Sequence, residues 1–230
     1  METIEATATT IPQKSILVVF DSSGSMQSMK SEPVQSLNAF YLEQKKTDVP
    51  FRSTLILFND NVTFHHMDLE GKEVPPLSED DYEPSGMTAL YDAIGKGIDY
   101  QNEKNNDDVI FVILTDGCEN CSHEYDNKTI KKKITECEKK GWKFIYLGAN
   151  QDAFSVANNI GINISSNYEY TPAGLNGIMR SVSNEVARTI SGVHKNMDIK
   201  LEIPKDNVED DDDKEEDFIP PPQLLRSTHI

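Results

Sequence analysis

Apolar residues fall into a repeating order along the chain. Ser15–Phe20 (SILVVF) is an unbroken apolar run rich in β-branched residues, and 108–117 (DVIFVILTDG) contains a second, stronger one. Runs of this kind suit strands buried on both faces of a parallel sheet. Shorter apolar runs at 52–58 (RSTLILF) and 142–149 (WKFIYLGA) read as further strands, and 163–170 (NISSNYEY) as a weaker last one. Between them the period changes to that of a helix. Val34, Leu37, Phe40 and Tyr41 share one face of a segment over 32–46, and Leu90, Ala93, Ile94, Gly97 and Ile98 do so over 88–101. Ile130, Ile134 and Cys137 form the apolar stripe of a basic helix over 127–141. A short helix is expected around 152–159. A final helix over 171–192 places Leu175, Ile178, Met179, Val182, Val186 and Ile190 on one stripe.

Asn59–Asn61 has turn chemistry, so 62–69 (VTFHHMDL) is predicted to return as an antiparallel edge strand. On such a strand His65 and His66 point to opposite faces. The stretch 72–83, with Pro75, Pro76 and several acids, reads as a surface loop. Strands alternating with helices give an α/β fold. It is a Rossmann-like, three-layer open sheet, mostly parallel with one antiparallel edge strand and helices on both faces. In such sheets ligands bind beyond the carboxyl ends of the strands, where the strand order reverses. Two polar loops, Asp21-Ser22-Ser23-Gly24-Ser25 and Thr115-Asp116-Gly117, follow the two most buried strands directly.

Composition sets the limits of the domain. The predicted organisation is a leader over 1–13, a folded domain over 14–195 and an acidic, proline-containing tail over 196–230. Lys205–Asp217 holds nine acids against two lysines, too charged to bury a core, and is expected to be disordered. The FIPPPQLL segment at 218–225 reads as a frayed end or a docking peptide. A formal charge of −17 argues against nucleic-acid or anionic-membrane partners, and no apolar run is long enough to predict membrane insertion. No secretory signal is visible. Three clustered cysteines do not make a disulfide scaffold, so a cytoplasmic or other intracellular setting is expected.

The loop chemistry points to a metal. Asp21, Ser23 and Ser25 place short oxygen side chains at alternate positions. Gly24 is expected to supply unusual backbone angles for a tight turn. All-oxygen ligation selects hard cations: Mg²⁺, Mn²⁺ or Ca²⁺. The bland alternative for Asp21 and Asp116 is capping of helix N-termini. Cys118, Cys121, His123 and Cys137 have partial zinc-ligand spacing, but a second CxxC is absent and Cys137 lies on a helix stripe, so unliganded thiols are the simpler reading.

Asp21-x-Ser23-x-Ser25 after one apolar strand, Thr88 opening a helix, and Thr115-Asp116-Gly117 after a second apolar strand together resemble the von Willebrand factor A family. GMTALYDAI (86–94) and DVIFVILTDG (108–117) add to the likeness, which runs from about Ser15 to Gly192. The resemblance implies a metal-ion-dependent adhesion site holding Mg²⁺, with Mn²⁺ or Ca²⁺ as alternatives. It implies that Ser23 and Ser25 bind the metal directly, and Thr88 directly or through water. Asp21 and Asp116 then supply charge, and one position remains for an Asp or Glu of a protein partner. Met87 stands where glycine is frequent in the family, and Cys118 where an acid is common.

The implied function is a non-enzymatic protein-interaction module, an adaptor or scaffold component of an intracellular complex or a viral or phage particle. Two other readings exist. One is a Mg²⁺-dependent phosphohydrolase with Asp21 as nucleophile, Asp116 as metal ligand and Lys96 or Lys143 stabilising charge. Ser23, where such enzymes want a second carboxylate, speaks against it. The other is a structural relative whose packing ignores the metal.

Overall fold

The computed structural model describes residues 13–149 and 153–192. The leader expected over 1–13 lies outside the described residues except for Gln13, and the tail expected over 196–230 lies wholly outside them.

Six strands form one sheet: β1 (Lys14–Asp21), β2 (Phe51–Phe58), β3 (Val62–Glu70), β4 (Val109–Thr115), β5 (Lys143–Ala149) and β6 (Ile164–Tyr168). Their order is β3-β2-β1-β4-β5-β6, with β3 antiparallel at the edge and the other pairs parallel. Among the described residues there are five α-helices: α1 (Glu32–Lys45), α2 (Leu90–Glu103), α3 (Asn127–Lys139), α4 (Ala153–Asn159) and α5 (Pro172–Ile190). This is the mostly parallel α/β sheet with an antiparallel edge that the periodicity predicts.

Strand alternation divides the core in two. Ile16, Val18 and Phe20 of β1, with Ile110, Val112 and Leu114 of β4, pack against Leu37 and Phe40 of α1 and Leu175, Val182 and Val186 of α5. Leu17 and Val19, with Phe111 and Ile113, face Leu90, Ile94 and Ile98 of α2, Ile130 and Ile134 of α3, and Ala153 and Ala157 of α4. The two central strands therefore have no polar face, which explains their unbroken hydrophobicity. Helix starts are fixed locally. The Asp126 side chain accepts the Thr129 N–H at 2.8 Å to cap α3, and Thr171 accepts the Gly174 N–H at 3.0 Å to cap α5.

Two expectations are corrected. The 72–83 stretch is not simply a surface loop: Val74, Leu77 and Tyr82 are buried against the α1/α5 side of the core. The prolines and acids mask this, because the three apolar residues follow no helix or strand period. His65 and His66 do not point cleanly apart. The β2–β3 register shifts between Ser53 and Ile56, and this bulge brings the two rings edge to face at 5.9 Å.

Candidate metal centre

The strand order reverses between β1 and β4. Chain leaving β1 passes to β2 on one side, and chain leaving β4 passes to β5 on the other, so a crevice opens beyond their carboxyl ends. The register pairs Phe20 with Leu114, which sets Asp21 beside Thr115 at that crevice.

Asp21 is buried, and both its carboxylate oxygens are used. Oδ1 accepts the Ser23 N–H at 2.7 Å, and Oδ2 accepts the Thr115 hydroxyl at 2.6 Å. Its carbonyl accepts the buried Tyr82 hydroxyl at 2.6 Å. Burial pushes the Asp21 carboxyl up to about 6; the hydrogen bonds from Thr115 and Ser23 oppose the shift, and the charge of Asp116 adds to it. Burial raises Asp116 as well, against the hydrogen bond from Ser25 and the nearby Tyr170 phenol.

A 3₁₀ helix over Gly24–Met29 turns the chain away from β1. It leaves Ser25 exposed and Ser23 buried. The Ser25 hydroxyl donates to Asp116 Oδ1 at 2.6 Å and lies 3.1 Å from the Ser23 hydroxyl. Gly24 has ordinary backbone angles, contrary to expectation. Its need is for space: its N–H donates to the Gly86 carbonyl at 3.1 Å, and a Cβ there would lie 3.3 Å from the same oxygen.

Thr88 is buried and precedes α2 by two residues rather than opening the helix. A Cβ on Gly117 would come 3.0 Å from Thr88 Oγ1 and 3.8 Å from Ser25 Oγ, so the three loops meet over Gly117. All five predicted residues, Asp21, Ser23, Ser25, Thr88 and Asp116, are thus brought together by these contacts.

The donor set is two carboxylates and three hydroxyls. Among the described residues no ion pair includes Asp21 or Asp116. Lys96 pairs with Glu124 at 2.8 Å, and Lys143 sits at the amino end of β5, the wrong end of the sheet to reach Asp21. The cysteines do not assemble a second centre. Cys137 packs in the α2/α3 core, Cys121 is buried and Cys118 exposed. Among the described residues no three His, Cys, Asp or Glu side chains are grouped to hold a metal.

Sequence reasoning missed the second layer. Tyr82 lies in the stretch read as loop. Tyr170, just past β6, contacts the Ser28 hydroxyl at 2.9 Å and donates to the Ser25 carbonyl. Asn120 and Glu119 lie beside the cysteines in the loop after β4; apart from the Ser122 hydroxyl, which donates to Glu119, their side chains serve backbone amides, which leave no trace in sequence spacing.

No protein-family model matches the chain, and no curated protein matches it in sequence. Solved structures do match in shape. Proximal thread matrix protein 1 from the mussel byssus superposes with a TM-score of 0.56 at 20% identity, over 76% of this chain and 46% of its own. A von Willebrand factor type A protein from Catenulispora acidiphila gives 0.53 at 11%, over 76% and 43%. The manganese-loaded TRAP protein of Plasmodium vivax gives 0.50 at 14%, over 69% of each chain. The chain thus spans less than half the length of the first two. No helix among the described residues is long and apolar enough to cross a membrane. The architecture is accordingly that of the von Willebrand factor type A fold.

Proposed function

We propose that the domain is a metal-dependent protein-interaction module that binds an acidic residue of a partner through one divalent cation. One observation carries the reading. Two desolvated carboxylates and three hydroxyls converge at the switch point of the sheet, and no cationic side chain is paired with either acid. A buried carboxylate without a counter-charge is costly, and a bound cation offsets that cost. The donor set fits Mg²⁺, with Mn²⁺ or Ca²⁺ as alternatives, and does not fit zinc. Ser23, Ser25 and Thr88 would supply neutral oxygens, and Asp21 and Asp116 the charge. Few charges for a divalent ion leave it attractive to a carboxylate from outside. That one similarly folded structure was loaded with manganese agrees with this choice of ions.

The module serves as an adaptor or scaffold component within a larger assembly. Its test is retention of partners from source material in Mg²⁺, in EDTA, and by Ser23→Ala in Mg²⁺. A protein held only by the wild type with metal is the expected result. The same protein held in all three arms overturns metal-dependent recognition.

A further inference from the structure

We propose that Asn120 is a positioning residue that fixes Thr88 in the metal centre; this rests on the metal-site reading above. Thr88 lies outside α2, so no helical hydrogen bonding holds its backbone. Its partner is in another loop. The Thr88 N–H donates to Asn120 Oδ1 at 2.9 Å, and the Asn120 N–H donates back to the Thr88 carbonyl at 3.1 Å. This closed pair of bonds joins the residue that delivers a hydroxyl to the loop that begins with Asp116. An asparagine suits the position because its side chain offers an acceptor beside its own backbone donor.

The neighbouring bonds show that the pair belongs to a larger clamp. The first amides of a helix have no internal partners, and the N-cap position of α2 is Ala89, which has no capping side chain. The loop after β4 caps the helix instead. Tyr91 N–H donates to Glu119 Oε2 at 2.9 Å, and Asp92 N–H to the Ser122 hydroxyl at 3.1 Å. Asp92 answers by accepting the N–H groups of His123, Glu124 and Tyr125, each at 2.9 Å. The start of α2 and the 119–125 loop are therefore one block, with Asn120 at the end nearest the centre. Glu119 and Ser122 hold the helix, whereas Asn120 alone of the three bonds Thr88. Position of the Thr88 hydroxyl relative to Asp116 is set through it.

The experiment titrates Mn²⁺ alone into the purified full chain, followed by water proton relaxation, with Tm recorded in parallel. Outer hydrogen-bond partners of metal ligands contribute about 10–100-fold to affinity. Asn120→Ala is expected to weaken Mn²⁺ binding by about 10-fold or more. Asn120→Asp, which keeps an acceptor oxygen for the Thr88 N–H, is expected to restore most of it. Ser122→Ala removes a cap of the same clamp away from Thr88; it is expected to lower Tm while leaving Mn²⁺ affinity unchanged. In a Thr88→Ala background Asn120→Ala should add nothing further, since its effect runs through that residue.

Two results overturn the proposal. One is Asn120→Ala that lowers Tm as Ser122→Ala does with unchanged Mn²⁺ affinity. The other is an undiminished effect of Asn120→Ala in the Thr88→Ala background. Absence of Mn²⁺ uptake by the wild type overturns the metal-site reading itself and Asn120's role with it, so the two failures are told apart by the first titration.

Discussion

Two of the buried polar clusters that interrupt the apolar core hold titratable groups in opposite ways. One is the Asp21 group at the carboxyl ends of β1 and β4. The other sits under the antiparallel edge, where the Ser53 hydroxyl donates to Tyr41 Oη at 3.2 Å and meets His66 Nε2 at 2.9 Å. Both join a titratable side chain to hydroxyls in a low-dielectric setting. The edge cluster is neutral, with His66 Nδ1 buried and unpartnered: burial and the neighbouring His65 push His66 down to about 4, and burial raises the Tyr41 phenol. The Asp21 cluster is charged, short of counter-charge and continuous with exposed Ser25. Polarity inside a core is therefore not a functional signal by itself. What distinguishes the first cluster is uncompensated charge, of one sign, at a place the topology leaves open.

The largest expected effect tests whether the edge cluster is neutral. The folded protein keeps His66 unprotonated down to about pH 4, whereas an unfolded chain takes the proton near 6.5. At this group the unfolded state thus binds more protons between those values, so the contribution of His66 to stability is full above pH 6.5 and is lost as pH drops toward 4. The loss amounts to roughly 3 kcal/mol at about 1.4 kcal/mol per pKa unit. His66→Gln keeps an amide for Ser53 and removes the titration. Denaturant midpoints of wild type and His66→Gln at pH 7 and pH 4 measure it; equal pH losses in both proteins would show that the edge does not behave as a neutral site.

Next in size is the response of the charged cluster to a cation. A ligand present at 100 times its Kd stabilises the folded state by about 2.7 kcal/mol. For a domain of this length that is a Tm rise of roughly 5–10 °C. Mg²⁺ is expected to produce such a rise in the wild type and none in Asp21→Asn, which keeps the shape but removes the charge. Ser53→Ala, an alteration of the other cluster, should leave the Mg²⁺ increment intact. Equal increments in all three proteins by scanning calorimetry would separate cation binding from Asp21.

The difference between the clusters also explains how far sequence could be read. The five candidate residues are legible through their resemblance to a family pattern, and the pattern is easy to place because its motifs flank strongly periodic elements: Asp21 and Asp116 follow the two unbroken apolar runs, and Thr88 stands before the α2 stripe. The edge cluster is not legible, since nothing in Tyr41, Ser53 and His66 announces that a bulge will fold one histidine inward. Tyr82 was hidden for a different reason. It belongs to a stretch with no period, where burial is decided by the shape of the surface beneath and not by the residues beside it. Asn120 and Glu119 act on backbone amides, and any segment supplies those.

The smallest effect separates the inner and outer supports of the candidate metal centre. Tyr82 and Tyr170 both present phenols to the loop after β1, but to different depths. The Tyr82 hydroxyl is buried and serves the buried Asp21 carbonyl, so Tyr82→Phe leaves that carbonyl unpaired, at about 1–3 kcal/mol. Tyr170 is half-exposed, and its partners Ser28 and the Ser25 carbonyl lie where water reaches. Solvent replaces much of what Tyr170→Phe removes, and the expected loss is about 0.5–1 kcal/mol. Its phenol also lies close enough to Asp116 to favour the charged form of that carboxyl. Tyr170→Phe should therefore weaken Mg²⁺ binding out of proportion to its small cost in stability, while Tyr82→Phe should do the reverse. Paired urea melts and Mg²⁺ titrations of the two variants decide it. If both lose stability and affinity in the same ratio, the centre has no inner and outer support, and the loop after β1 responds as a single rigid piece.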